Sequence, residues 1–165
     1  RELYASSKID EAIKYYSLFL ENGQGLRSNY LYACIELSTC YEIKKDEENS
    51  LKALLKYLEL GGPRAEICCK IGDYYRIRKE YEKAIEWYKI APHTKIPKES
   101  IGAIMPMYWN YMPYVGLSVC YYKLGDLEQA IYYNEKAVQA APNDEKVLKN
   151  GYVLAKERLE KMNEK

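Results

Sequence analysis

The chain is short of the residues from which most reactions are built. It has a single histidine, His93, which excludes a histidine-rich metal site. His93 lies in the proline-flanked stretch "APHTKIP", a poor setting for a general base. Its aspartates stand apart at 10, 46, 73, 126 and 144, so no Asp-x-Asp element is present. The carboxylates of Asp46, Glu47 and Glu48 fall where a helix should start, and negative charge there favours the helix dipole. No glycine-rich phosphate loop occurs, and "GGP" at 61–63 reads as a turn. Five cysteines at 34, 40, 68, 69 and 120 form no Cys-x-x-Cys pair, which fits neither a disulfide scaffold nor a zinc ribbon. They read as buried thiols of a reducing, cytoplasmic compartment. No run approaches the ~20 apolar residues of a membrane span, and charges mixed into residues 1–20 exclude a signal peptide. Lys and Arg nowhere cluster, and the net charge is +1, which argues against nucleic acid as partner. No catalytic residue, metal ligand or cofactor site is therefore expected.

What is present is repetition. "CIELSTCYEIKKDEENSLKALLKYLELGGP", "CKIGDYYRIRKEYEKAIEWYKIA" and "YVGLSVCYYKLGDLEQAIYYNEKAVQAAP" share one template. A bulky residue is followed by x-x-Leu-small-x-x-Tyr and then by Ala-x-x-x-aromatic. The residues are Cys34, Leu37, Ser38, Tyr41, Ser50 and Leu54; Cys68, Ile71, Gly72, Tyr75, Ala84 and Tyr88; Tyr114, Leu117, Ser118, Tyr121 and Ala130. "KIDEAIKYYSLFL" (8–20) matches the second half alone, through Ala12 and Tyr16. The pattern resembles the tetratricopeptide repeat, a pair of antiparallel helices. Small residues let the paired axes approach, and the large ones fill the holes between neighbours. Each pair has two apolar faces and must stack. The expected fold is therefore all-α, a right-handed tetratricopeptide superhelix of antiparallel helix pairs with a C-terminal capping helix.

As a single domain it divides into a partial repeat (1–26), repeats at 31–64 and 65–91, an insertion at 92–110, a repeat at 111–144 and a capping helix at 145–162. Arg1 in place of a methionine, and the missing first half of the first repeat, suggest a chain cut from something longer. The insertion feeds into "IGAIMPMYWNYMP" (101–113), which carries three methionines and Trp109 and no charge. So much apolar surface must pack somewhere. Either it folds over the junction of the flanking repeats, or Met105, Met107 and Trp109 form a contact for a second copy or another domain.

In such solenoids the first helix of each pair lines the concave face. The inward positions are Tyr32, Ile35, Thr39 and Glu42, then Glu66, Cys69, Asp73 and Arg76, then Met112, Val115, Val119 and Tyr122. Tetratricopeptide domains that clamp acidic chaperone tails carry Lys, Asn and Arg there. Ile35/Thr39, Cys69/Asp73 and Val115/Val119 do not supply that clamp. The nineteen tyrosines set against one phenylalanine fill the aromatic slots of the template and also suit interfaces.

Two stretches resemble a narrower group, the C-terminal repeats of bacterial family 2 glycosyltransferases. They are "GGPRAEICCKIGDYYRIRKEYEKAIEWYKIA" (61–91) and "YWNYMPYVGLSVCYYKLGDLEQAIYYNEKAVQAAPND" (108–144). The matching residues are Trp109, Pro113, Val119, Cys120, Tyr121, Tyr122, Leu124, Gly125, Asp126, Asn134, Glu135 and Ala137, with Tyr111 in place of a second Trp. The resemblance implies a catalytic domain upstream of Arg1, which binds a nucleotide sugar and a metal through an Asp-x-Asp element. It makes the present chain a non-catalytic scaffold whose partner is that domain or a second copy. The alternative is a stand-alone adaptor that takes a peptide or protein in its concave groove.

Overall fold

The computed structural model describes residues 2–23, 25–96 and 105–163; residues 97–104 of the expected insertion lie outside it. The helices are α1 (Glu2–Asn22), α2 (Arg27–Ile43), α3 (Glu47–Gly61), α4 (Ala65–Ile77), α5 (Tyr81–Ile90), α6 (Met107–Asn110), α7 (Met112–Lys123), α8 (Leu127–Ala140) and α9 (Glu145–Asn163). A 3-10 turn, Ala91–His93, follows α5. There is no strand among the described residues.

Three antiparallel pairs, α2/α3, α4/α5 and α7/α8, carry the architecture, with α1 packed on α2 and α9 on α8. Each pair is joined at small residues twelve positions apart. Ser38 Oγ lies 2.9 Å from Ser50 Oγ, and Ser118 Oγ donates to Ala130 O at 2.8 Å. Gly72 and Ala84 hold the same places in α4 and α5. These contacts bring the axes close, and the two hydrogen bonds satisfy polar atoms that burial would otherwise penalise.

The turns within the pairs are alike. The amides of Lys45, Lys79 and Gly125 return to Glu42, Arg76 and Tyr122, and the next amides reach back to Tyr41, Tyr75 and Tyr121. That double closure is the Schellman ending. It puts Lys45 at φ 60°, Lys79 at φ 63° and Gly125 at φ 84°, a region only glycine enters without cost. Asp46 and Asp126 then cap the next helices by accepting from the amides of Asn49 and Gln129. Glu80 stands at the same place before α5 without a side-chain cap.

One core gathers Leu31, Cys34, Leu54, Tyr57, Ile67 and Ile71, between α2, α3 and α4. The other gathers Cys68, Cys69, Ala84, Ile85, Tyr88, Trp109, Leu117 and Cys120, from α4 to α7. Tyr75 and Trp87 pack against both. Arg64 and Glu66 form a buried fork, with Nε to Oε2 at 2.9 Å and Nη2 to Oε1 at 3.0 Å. The paired geometry is what makes such a burial tolerable.

Candidate functional site

The first helices α2, α4 and α7 lie side by side, and their inward positions form the candidate binding face. Its centre is a network. The Tyr88 hydroxyl donates to Asp73 Oδ1 at 2.7 Å, while Arg76 donates to the Tyr88 hydroxyl at 3.1 Å and to Asp73 Oδ1 at 3.0 Å. Burial, then the Asp73 carboxylate, push the Tyr88 phenol far above its ordinary value. Burial alone would lower the Arg76 pKa, but Tyr88 and Asp73 outweigh it. Asp73 and Arg76, expected to face the groove, thus hold the fold's own tyrosine.

Tyr88 sits where it does because two glycines make room for it. A Cβ on Gly72 would come within 2.7 Å of its ring, and one on Gly116 within 2.5 Å. The Tyr88 ring of α5 is therefore wedged between α4 and α7.

The insertion changes one expected site. Cys69, placed in the open groove by its register, is 1% exposed. Tyr108 of α6 lies over it, with Cys69 Sγ 3.8 Å from Tyr108 O. Glu66, on the same face, is buried too. Burial above all drives the Cys69 thiol upward. Trp109 is likewise no surface contact. It is 6% exposed and belongs to the core, with its indole N–H donating to Thr94 O at 3.0 Å and Arg64 standing 5.9 Å from its ring. The insertion's end folds back because burying the indole removes a large apolar surface from water. Met105 stays exposed and Met107 half-buried.

The remaining residues expected in the groove divide by position. Tyr32 is exposed, while Ile35, Thr39, Met112, Val115, Val119 and Tyr122 are half-buried. Thr39 Oγ1 donates to its own helix at Ile35 O. The Tyr122 hydroxyl is bonded to Glu157, and this raises its pKa, tying α7 to α9. Sequence reasoning missed Ile43 and Ile77, which are 59% and 63% exposed at the ends of α2 and α4. They stand one step beyond the expected Glu42 and Arg76, and their separation of one repeat length was the available signal.

Among the described residues no group of three or more His, Cys, Asp or Glu side chains could hold a metal. No described helix is long and apolar enough to cross a membrane.

Comparison with known proteins agrees with this architecture. Residues 65–90 and 113–144 match the tetratricopeptide repeat family. A crystal structure of MamA protein superposes with a TM-score of 0.66 at 18% identity, over 94% of this chain and 76% of that one. Another MamA crystal structure gives 0.62 at 16% identity, over 98% and 95%. At such identities the likeness is one of fold. No curated protein matches the chain in sequence. The chain is an all-α superhelix that carries tetratricopeptide repeats at 65–90 and 113–144.

Proposed function

We propose that the chain is a non-catalytic scaffold whose concave face binds an extended or helical segment of a partner protein. The observation that carries this reading is the row of exposed apolar side chains in repeat register, Ile43 and Ile77, with Tyr32 on the same face. Large apolar groups in line along one face are characteristic of docking surfaces. The polar centre supports the same reading, since Asp73 and Arg76 are engaged with Tyr88 and present no free carboxylate clamp. The partner segment is accordingly apolar rather than acidic.

A photocrosslinking residue at position 77 tests it, compared with one at the exposed Glu86 of α5 in the same cell extract. A discrete adduct from position 77 alone is expected. Equal labelling from both positions removes the concave-face reading.

A narrower reading makes this scaffold the C-terminal part of a family 2 glycosyltransferase with its catalytic domain upstream. It is supported by the residue matches at 61–91 and 108–144, and a stand-alone adaptor is equally compatible with the fold. The mass of the natural protein separates the two. A product well above the 19.3 kDa of this chain, active on nucleotide sugars, favours the first; a product near that mass favours the second.

A further inference from the structure

Two contiguous cavities open between α8 and α9, far from the inward positions of α2 and α4. One of about 780 Å³ lies beside the Gly125 turn, and one of about 450 Å³ runs on along the helices. They share Ile131, Glu135, Arg158 and Met162. Leu159 and Met162 line this groove and are exposed, and Leu148 and Tyr152 are exposed further along α9. Positions 148, 152, 155, 159 and 162 alternate steps of four and three, so they form one stripe about 21 Å long. The rims of the larger cavity carry opposite charge. The α8 side offers Asp126, Glu128 and Glu135, and the α9 side Arg158 and Lys161.

A second observation points to an occupant. Asn134 stands four residues after the small residue of α8, the place held by Leu54 in α3 and by Tyr88 in α5. It is 4% exposed, lines the smaller cavity, and its Oδ1 is buried with no hydrogen-bond partner among the described residues. Its Nδ2 fills the space a Cβ on Gly151 would need, at 2.9 Å. An unpaired buried amide oxygen costs about 1–3 kcal/mol. A polar group set within an apolar seam fixes the register of a docking helix.

We propose that the α8/α9 groove seats one amphipathic helix of a partner protein. Its apolar stripe lies on Ile131, Leu159 and Met162, its acidic edge faces Arg158 and Lys161, and its basic edge faces Glu128 and Glu135. A donor within the stripe lies over Asn134, which lines the smaller cavity, and pairs with its buried Oδ1 as the amide turns toward the groove. The mixed rim is unsuited to an anionic lipid surface. Pairing of α9 with its own copy would oppose helices that each carry five basic residues against three acidic ones.

The probe is a labelled synthetic helix about 18 residues long, enough to run most of the stripe. It has Leu along the stripe, one central Gln, Glu on one edge and Lys on the other, and is titrated into the full chain by fluorescence anisotropy. It is expected to bind about fivefold or more tighter than versions with Glu on both edges or Lys on both edges. Leu159→Asp, at an exposed position, should weaken binding about tenfold or more while leaving the thermal melt unchanged. Glu135→Lys should move the preference to the all-Glu peptide, Asn134→Leu should erase the advantage of Gln over Leu, and Ile77→Asp on the concave face should change nothing. Equal binding of all peptides, or no effect of Leu159→Asp, overturns the proposal. So does Leu159-dependent sedimentation with phosphatidylserine vesicles without peptide discrimination, which assigns the stripe to lipid. Leu159-dependent self-association in analytical ultracentrifugation assigns it to a second copy and equally overturns the proposal.

Discussion

Single side chains decide more here than composition suggests, and Tyr88 shows how. Its ring needs the missing Cβ atoms of Gly72 and Gly116 at once. Gly116→Ala is expected to cost about 1–3 kcal/mol by overpacking, read as a lowered urea midpoint. Adding Tyr88→Leu should recover part of that loss, and strictly additive effects would separate the two residues. The buried thiols make a second prediction. Burial pushes Cys34 and Cys68 up to about 11 and Cys120 up to about 12, from an ordinary 9.0. A pKa raised by folding contributes stability that is complete below pH 9 and is lost as the pH climbs through 11. Denaturation midpoints should hold from pH 7 to 8.5 and fall steeply above 9. The fall should be shallower in Cys120→Ala, once that variant's loss of packing at neutral pH is subtracted. A midpoint flat to pH 10.5 contradicts the burial of these thiols.

The helices are fitted at their ends with unequal care. Lys79 adopts the left-handed conformation that Gly125 adopts freely in the next repeat. Lys79→Gly is therefore expected to stabilise the chain by about 0.5–1 kcal/mol, and Asp126→Ala to destabilise it by about 1 kcal/mol through the lost cap. Both are read from thermal melts. Trp109→Ala in α6 should cost about 3–5 kcal/mol, as for a large core aromatic; a loss of under 1 kcal/mol would contradict its place in the core. These elements were unequally legible in the sequence. The small residues at 38 and 50, 72 and 84, and 118 and 130 announce themselves, because helix pairing repeats a local chemistry at fixed spacing. The covering of Cys69 by Tyr108 does not, since the two lie 39 residues apart across a connection with no periodicity. Register alone placed Cys69 and Glu66 on the groove side; what came to rest on them depended on where the insertion folded. Asn134 was visible as a match to the narrower group of repeats and as a departure from Leu54 and Tyr88, but the cavity beside it was not.

At the scale of the whole molecule, cohesion is graded along the array. The α4–α7 region holds the larger of the two cores, with Tyr88, Trp109, Leu117 and Cys120, while none of residues 7–22 of α1 is buried. In a quasi-one-dimensional solenoid such differences appear as local opening. Amide exchange should be fastest in α1, intermediate in α2, α3 and α9, and slowest in α4, α5 and α7; uniform protection across the chain would refute this ordering.

The wedge of Tyr88 between neighbouring repeats also bears on how such a chain can lengthen. Duplicating a repeat between α5 and α7 would separate this tyrosine from Gly116 and present it to a helix without a matching gap. Repeats at this junction are consequently not interchangeable copies, and a family of such chains should vary in number by adding units elsewhere. An engineered insertion at this seam is expected to fold well only when the incoming first helix carries glycine two residues before its own small position.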